Sequence, residues 1–331
     1  MASAIYGMTT GRLTLVRLAG AALFLFSLST LAQTWPTRSI RMIIPAGPGG
    51  GVDTIGRIVS LSLAAALGQP VVVDNRPGAG TMLGSELVAK APPDGYTLLM
   101  MTNSHVINAG IQKNLRYDPI KDFTTICSIA TLPYLLIVHP SVPARSTKEL
   151  VALAKRRPGD LAFSSAGPGS GTHLAFELFV YMAGIKALHV PYRSGSAALT
   201  DLAGGRVQMM FSNLINSMPY VSNKRLVALA ITTPKPSPLY PELPTVSQSG
   251  LPGYESDAWY GLVGPAQMPA DAVSRLNREV LAIIRTGKAR ELLATQGADV
   301  TGSTPEEFNT ILRRDVEKWT KIAAKLNIQM E

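Results

Sequence analysis

The residues of this chain with the clearest chemical potential are glycines set just before helical stretches. Three loops share the arrangement: Pro45-Ala-Gly-Pro-Gly-Gly-Gly-Val-Asp53, Asn75-Arg-Pro-Gly-Ala-Gly80 and Ser164-Ser-Ala-Gly-Pro-Gly-Ser-Gly-Thr172. Glycine lets the backbone take positive φ and lets a ligand come close to the main chain. The first turn of a helix carries N–H groups without intrahelical partners, and the helix dipole adds partial positive charge there. Such an end attracts an anion, at about 0.3–2 kcal/mol per interaction. Each loop alone also reads as a tight turn, the second above all, since Arg76-Pro77-Gly78 can pack a turn by itself. Three in one chain favour the anion reading.

Enzyme signatures fail. The runs from Gly49, Gly78 and Gly167 end in Thr54, Leu83 and Thr172, so G-x-G-x-x-G is never completed. Gly287-Lys288 is followed by Ala289, which rules out a P-loop, and Gly167-Pro-Gly-Ser-Gly171 has glycine where a G-x-S-x-G elbow needs serine. His105, His139, His173 and His189 have no H-x-x-x-H or H-E-x-x-H spacing, so neither a metal nor a cofactor is expected. His173 as a base for Ser170 would make a hydrolase; the simpler reading puts it in the first helical turn, orienting the loop. Asp53 could act as an acid, but reads better as a cap on the first helix. Trp259 and Tyr260 could line a cleft or pack a core. Tyr192 and Arg193 close a strand and could face a cleft, where Arg193 would offer a bidentate partner to a carboxylate; a solvated surface arginine is the bland alternative. Cys127 is alone, so no intramolecular disulfide forms, and its apolar surroundings in TTICSIATL predict a buried thiol.

These residues need elements to position them, and strand and helix alternate along the chain. Strands are expected at 39–45, 71–74, 97–102, 160–165, 189–191, 207–212 and 226–232. Helices are expected at 54–67, 83–91, 146–155, 172–184, 197–203, 269–285 and 305–326. Ser146 with Glu149 has capping-box spacing, and Thr304, Pro305 and Glu307 form a strong helix start. Phe308, Leu312, Val316, Trp319 and Ala323 share one helical face. The alternation argues for parallel α/β layers. The apolar run 125–139, broken at Pro133, could carry the chain from one lobe to another. The expected division is a lobe built from 33–131 and 231–331 and a second from 132–230, with crossings near Thr131 and Ala230.

The first 32 residues read as a secretion signal: Arg12 and Arg17 before an uncharged segment from Leu18 to Leu31, with Thr30 and Ala32 as small residues at the cleavage positions. Cleavage is expected after Ala32. The segment is short against the roughly 20 apolar residues of a membrane span, and no cysteine follows it to carry a lipid. The periplasm is the expected destination. Losing Arg12 and Arg17 leaves +7 of the formal +9 charge. A basic balance steers anions toward the protein, while the dispersal of the basic residues argues against nucleic acid.

The strings WPTRSIRMIIPAGPGGGVD, LGQPVVVDNRPGAG, VAKAPPDGYTLL, YDPIKDF, SSAGPGSGTHLAFELF, HVPYRSG, LTDLAGGRVQMMF, LPTVSQSGLPGYE and WYGLVGP run in order along the chain. In this it resembles the Bug or TctC-like family, the receptors of tripartite tricarboxylate transporters. The resemblance implies a type II periplasmic binding fold, two α/β lobes with a ligand cleft between them, in which backbone N–H groups, main-chain atoms and water hold a ligand carboxylate. It implies candidate contacts at Gly50, Gly51 and Val52 in the first loop, where Pro48 and Asp53 join the set, and at Thr102 and Asn103 after the third strand. In the second lobe it implies Ala166, Gly167, Gly169, Ser170, Gly171, Tyr192 and Ser212. Val52 stands where the family commonly has Thr or Ser. Gln208 and Ser212 stand where it commonly has acids, so a partner for an ammonium group is missing. The expected ligand is therefore a di- or tricarboxylate or an aromatic acid. The expected partners are membrane transporter subunits, or a sensor kinase if the protein signals, and the expected state is a monomer. A secreted serine hydrolase is the remaining rival.

Overall fold

Short apolar strands and amphipathic helices alternate through the structure, a computed structural model that describes residues 35–112, 114–237 and 240–326. The expected signal segment, 1–32, and its cleavage site lie outside the described residues.

The chain begins with β1 (Ile40–Ile44), α1 (Gly51–Leu67), β2 (Val71–Asn75), α2 (Met82–Ala89), β3 (Thr97–Thr102), α3 (Asn103–Ile111) and β4 (Phe123–Leu132). It continues with β5 (Tyr134–Val138), α4 (Thr147–Arg156), β6 (Ala162–Ser165), α5 (Gly171–Ala183), β7 (Leu188–Pro191), α6 (Gly195–Ala203), β8 (Met209–Asn213), α7 (Leu214–Ser222) and β9 (Val227–Ile231). It ends with β10 (Ala258–Pro265), α8 (Ala270–Arg285), α9 (Gly287–Thr295), β11 (Asp299–Val300) and α10 (Pro305–Leu326).

The strands form two sheets, ordered β11-β4-β10-β3-β1-β2 and β7-β6-β8-β5-β9. Both follow one plan. A parallel trio (β2-β1-β3, then β7-β6-β8) is joined by an antiparallel strand, β10 in the first sheet and β5 in the second. The chain changes sheet at Pro133, between β4 and β5. It leaves the second sheet after β9, makes one bridge from Ile231 to Thr245, and returns in β10.

Local chemistry explains the element ends. Gly68 and Gly184 terminate α1 and α5 in the left-handed conformation, which glycine takes without a Cβ penalty. Ser146 caps α4 by accepting the Glu149 N–H, the expected capping geometry. The face of α10 expected to be apolar does pack on the first sheet, with Phe308, Leu312, Trp319 and Ala323 buried and Val316 half-buried beside them. Cys127 is fully buried in β4, and burial pushes its thiol up to about 12.

Several elements were not expected. The helices α3, α7 and α9 and the strand β10 replace stretches read as loop or left unassigned.

Candidate ligand-binding cleft

Every parallel strand delivers its C-terminal end to the same region, as the rule for open α/β sheets requires. There a cavity of about 730 Å³ lies between the two sheets. Six helix N-termini reach its lining: Gly50 to Val52 at α1, Thr81 and Met82 at α2, Thr102 to Ser104 at α3, Ser170 to Thr172 at α5, Ser194 and Gly195 at α6, and Asn213 and Asn216 at α7. No carboxylate is among the described lining residues, and Arg193 is their single charged side chain.

The inner end is buried and tightly fitted. Asn103 is 3% exposed; its Nδ2 donates to the Asp257 carbonyl at 3.0 Å. Ser104 Oγ accepts the Gly171 N–H at 2.9 Å, joining α3 to α5 across the cleft. A Cβ on Gly51 would meet Asn213 Nδ2 at 2.7 Å and the Tyr260 hydroxyl at 2.9 Å. A Cβ on Gly171 would collide with the Tyr134 hydroxyl and sit 2.9 Å from Asn103 Oδ1. Glycine at these two positions therefore sets how closely the helix ends approach the opposing side chains.

The third loop is held from within. The Ser170 Oγ accepts the His173 N–H at 3.3 Å and lies 3.2 Å from Thr172 Oγ1, which itself accepts the Ala166 N–H. His173 Nδ1 accepts the Gly169 N–H at 3.3 Å. His173 stacks on His189 and Phe163 and faces Glu177 at 3.5 Å. Ser170 is thus a helix cap and His173 a loop support; no hydrogen bond joins their side chains among the described residues.

The second loop lines the cleft as well. Gly78, Ala79, Gly80 and Thr81 all have positive φ, at 142, 46, 61 and 86°. Asn108 Nδ2 donates to the Gly80 carbonyl at 2.7 Å, and a Cβ on Gly80 would lie 2.5 Å from the Pro168 carbonyl of the third loop. Thr81 Oγ1 and Asn108 Oδ1 are buried with no hydrogen-bond partner among the described residues.

Of the candidate contacts, Gly50, Gly51, Val52, Thr102 and Asn103 line the cavity from the first sheet, and Ala166, Gly167, Ser170, Gly171, Tyr192 and Ser212 from the second. Three do not. Pro48 is exposed outside the lining. Gly169 is buried against Asn108. Asp53 turns away to fasten the first loop to the second. Its carboxylate accepts from Gly49 N–H, Arg57 and Asn75, while Asn75 also donates to the Ala46 carbonyl. Burial alone would raise the Asp53 pKa, but those hydrogen bonds outweigh it and lower it. Tyr192 presents its ring, because its hydroxyl donates to Asp201 at 2.8 Å. Gln208, expected to bear on the ligand, is absent from the lining and uses its Oε1 on the Ala162 N–H. Trp259 and Tyr260 alternate across β10. Trp259 packs on Phe308 and donates to Asp315, whereas Tyr260 lines the cleft.

Sequence reasoning missed Tyr134, Asn213 and Asn216. None has a local signal: Tyr134 follows the sheet change at Pro133, Asn213 ends β8 at the cap of α7, and Asn216 lies within α7, a helix that was not expected.

Two mixed sheets of this order, enclosing a cleft lined by helix ends, define a periplasmic binding protein. The chain belongs to the tripartite tricarboxylate transporter receptor family, TctC, whose model matches residues 55–328. It is 38% identical to the UPF0065 protein in the tcbD-tcbE intergenic region of Pseudomonas sp. (strain P51), over 94% of both chains. Among solved structures it is similar to an R. palustris protein with adipate, at 34% identity and TM-score 0.86, covering 89% of this chain and 99% of that one. It is also similar to MatC from Rhodopseudomonas palustris with bound malate, at 28% identity and TM-score 0.83, covering 87% of this chain and 99% of that one.

Proposed function

We propose that this chain is an exported, periplasmic solute receptor that binds a small carboxylate and delivers it to a tripartite tricarboxylate transporter, without chemistry. One observation carries the reading: six helix N-termini and one arginine surround a cleft whose described lining has no acid. Oriented N–H groups and dipoles of one sign favour an anion. The candidate contacts that line the cavity, from Gly50 to Ser212, are its proposed binding residues. The absence of a carboxylate at Ser212 supports a ligand without an amino group.

Two lobes, 33–131 with 231–331 and 132–230, would close on the ligand; the change of sheet at Pro133 supports that division. The adipate and malate bound by two relatives support a dicarboxylate. A hydrolase reading is disfavoured by the use of Ser170 as a helix cap.

Calorimetric titration tests the proposal. At least one di- or tricarboxylate or aromatic acid should bind with micromolar affinity, about −8 kcal/mol, and be recovered unchanged. Aspartate or glutamate binding more tightly than every non-amino acid tested would overturn it.

A further inference from the structure

The cleft is not symmetric along its length. Its inner end is closed by the buried Asn103, Ser170, Tyr134 and Tyr260, and is served by helix-end amides. Its outer end is more open. There Tyr192 is half-buried and Arg193 is exposed, just before Ser194, the cap of α6. A Cβ on Gly47 of the first loop would lie 3.6 Å from Ser194 Cβ, so the outer end is flanked by both sheets' loops.

Arg193 makes no hydrogen bond or ion pair among the described residues. The nearby acid is already engaged: Asp201 accepts from Tyr192 and from Arg206, both at 2.8 Å. Arg193 therefore presents a planar fork of N–H donors to the cleft with no protein acceptor for it, the geometry that takes a carboxylate in bidentate fashion.

We propose that Arg193 receives a second carboxylate, so that the ligand is a dianion spanning the cleft with one carboxylate at each end. This rests on the carboxylate reading above and narrows it: a monocarboxylate of the same length would fill the inner end and leave Arg193 unused.

The test uses matched pairs in titration calorimetry: succinate with butyrate, adipate with hexanoate, and terephthalate with benzoate. The wild type should bind at least one diacid about tenfold or more tightly than its monoacid. Arg193→Gln should collapse that preference to within about threefold by weakening the diacid far more than the monoacid, with partial rescue by Arg193→Lys. An unchanged diacid-to-monoacid ratio in Arg193→Gln, or no diacid preference in the wild type, overturns the inference and leaves the carboxylate reading standing. Binding of none of the six by the wild type overturns this inference, and the carboxylate reading falls with it only if tricarboxylates and other aromatic acids also fail to bind.

Discussion

Thr81 is the residue whose conformation least suits its chemistry. A β-branched side chain at φ 86° pays steric strain of about 1–3 kcal/mol. Its hydroxyl is also buried without a partner among the described residues, a further cost. Thr81→Gly removes both penalties, against some loss of unfolded-state restraint. The expected result is a gain of about 1 kcal/mol in unfolding free energy, read by urea denaturation without ligand. Unchanged or lower stability would show that the strain is compensated locally. At this scale the sequence was readable where a residue's role is set by its neighbours in the chain. Ser146 reads as a cap because it precedes a helix and meets the N–H three residues on; Ser170 caps α5 in the same way but reads from the sequence only as a ligand contact or nucleophile. Asp53 was expected to cap the first helix, but Gly50 holds the cap position without a side-chain bond, and the carboxylate serves Gly49 N–H, Arg57 and Asn75 instead; Asn75 arrives from another strand, out of reach of local reasoning.

At the scale of elements, the seam between the second and third glycine loops joins the two sheets' surfaces. A Cβ at Gly80 would meet the Pro168 carbonyl and the Gly169 main chain, neither of which can rotate away as a side chain can. Gly80→Ala should therefore part the seam. The expected outcome is ligand affinity lowered about fivefold or more, with a larger radius of gyration for the liganded protein in small-angle scattering. Equal affinity and equal radius would show that the seam is not part of the bound state. Two of the elements that escaped sequence reasoning, α3 and β10, share a cause, whereas α9 is short and mostly exposed. Helix α3 is buried along most of its length and shows no apolar stripe, α7 contains Pro219, and β10 is buried on both faces and carries two glycines between its two aromatics and Pro265. Periodicity reports one wet face and one dry face; elements enclosed on both sides lack it. The amphipathic α10 was legible for the opposite reason.

At the scale of the molecule, both passages between the sheets meet at one hydrogen-bonded chain. Tyr134 N–H, at the first passage, donates to Thr232 Oγ1 at 2.8 Å; Thr232 Oγ1 donates to Asp257 Oδ1 at 2.9 Å, just before the chain re-enters the first sheet. Burial raises the Asp257 pKa to about 6; Thr232 lowers it, Glu255 and Asp299 add to the rise, and Lys318 opposes it. The nearby Tyr134 and Tyr254 are neutral phenols, both raised by burial. A carboxyl whose folded pKa exceeds its unfolded one binds more protons when folded, so its contribution to stability is present near pH 4 and lost as pH rises through about 6. Asp257→Asn keeps an acceptor for Thr232 and removes that loss. The variant should exceed the wild type by about 1–3 kcal/mol at pH 7.5, with the difference shrinking as pH falls and vanishing below the unfolded carboxyl pKa of 3.8, in chemical denaturation. A difference that does not vary with pH would remove Asp257 from the account.

The lone thiol in β4 has a practical consequence for watching the cleft move. Cys127 is sealed in the first sheet with its pKa pushed up to about 12, and the reactive species toward maleimides and disulfide reagents is the thiolate. Native protein should stay unlabelled by such reagents while urea-unfolded protein takes up one equivalent. A dye pair placed by two engineered surface cysteines, one on each side of the cleft, would then report opening and closing by energy transfer with the native background intact.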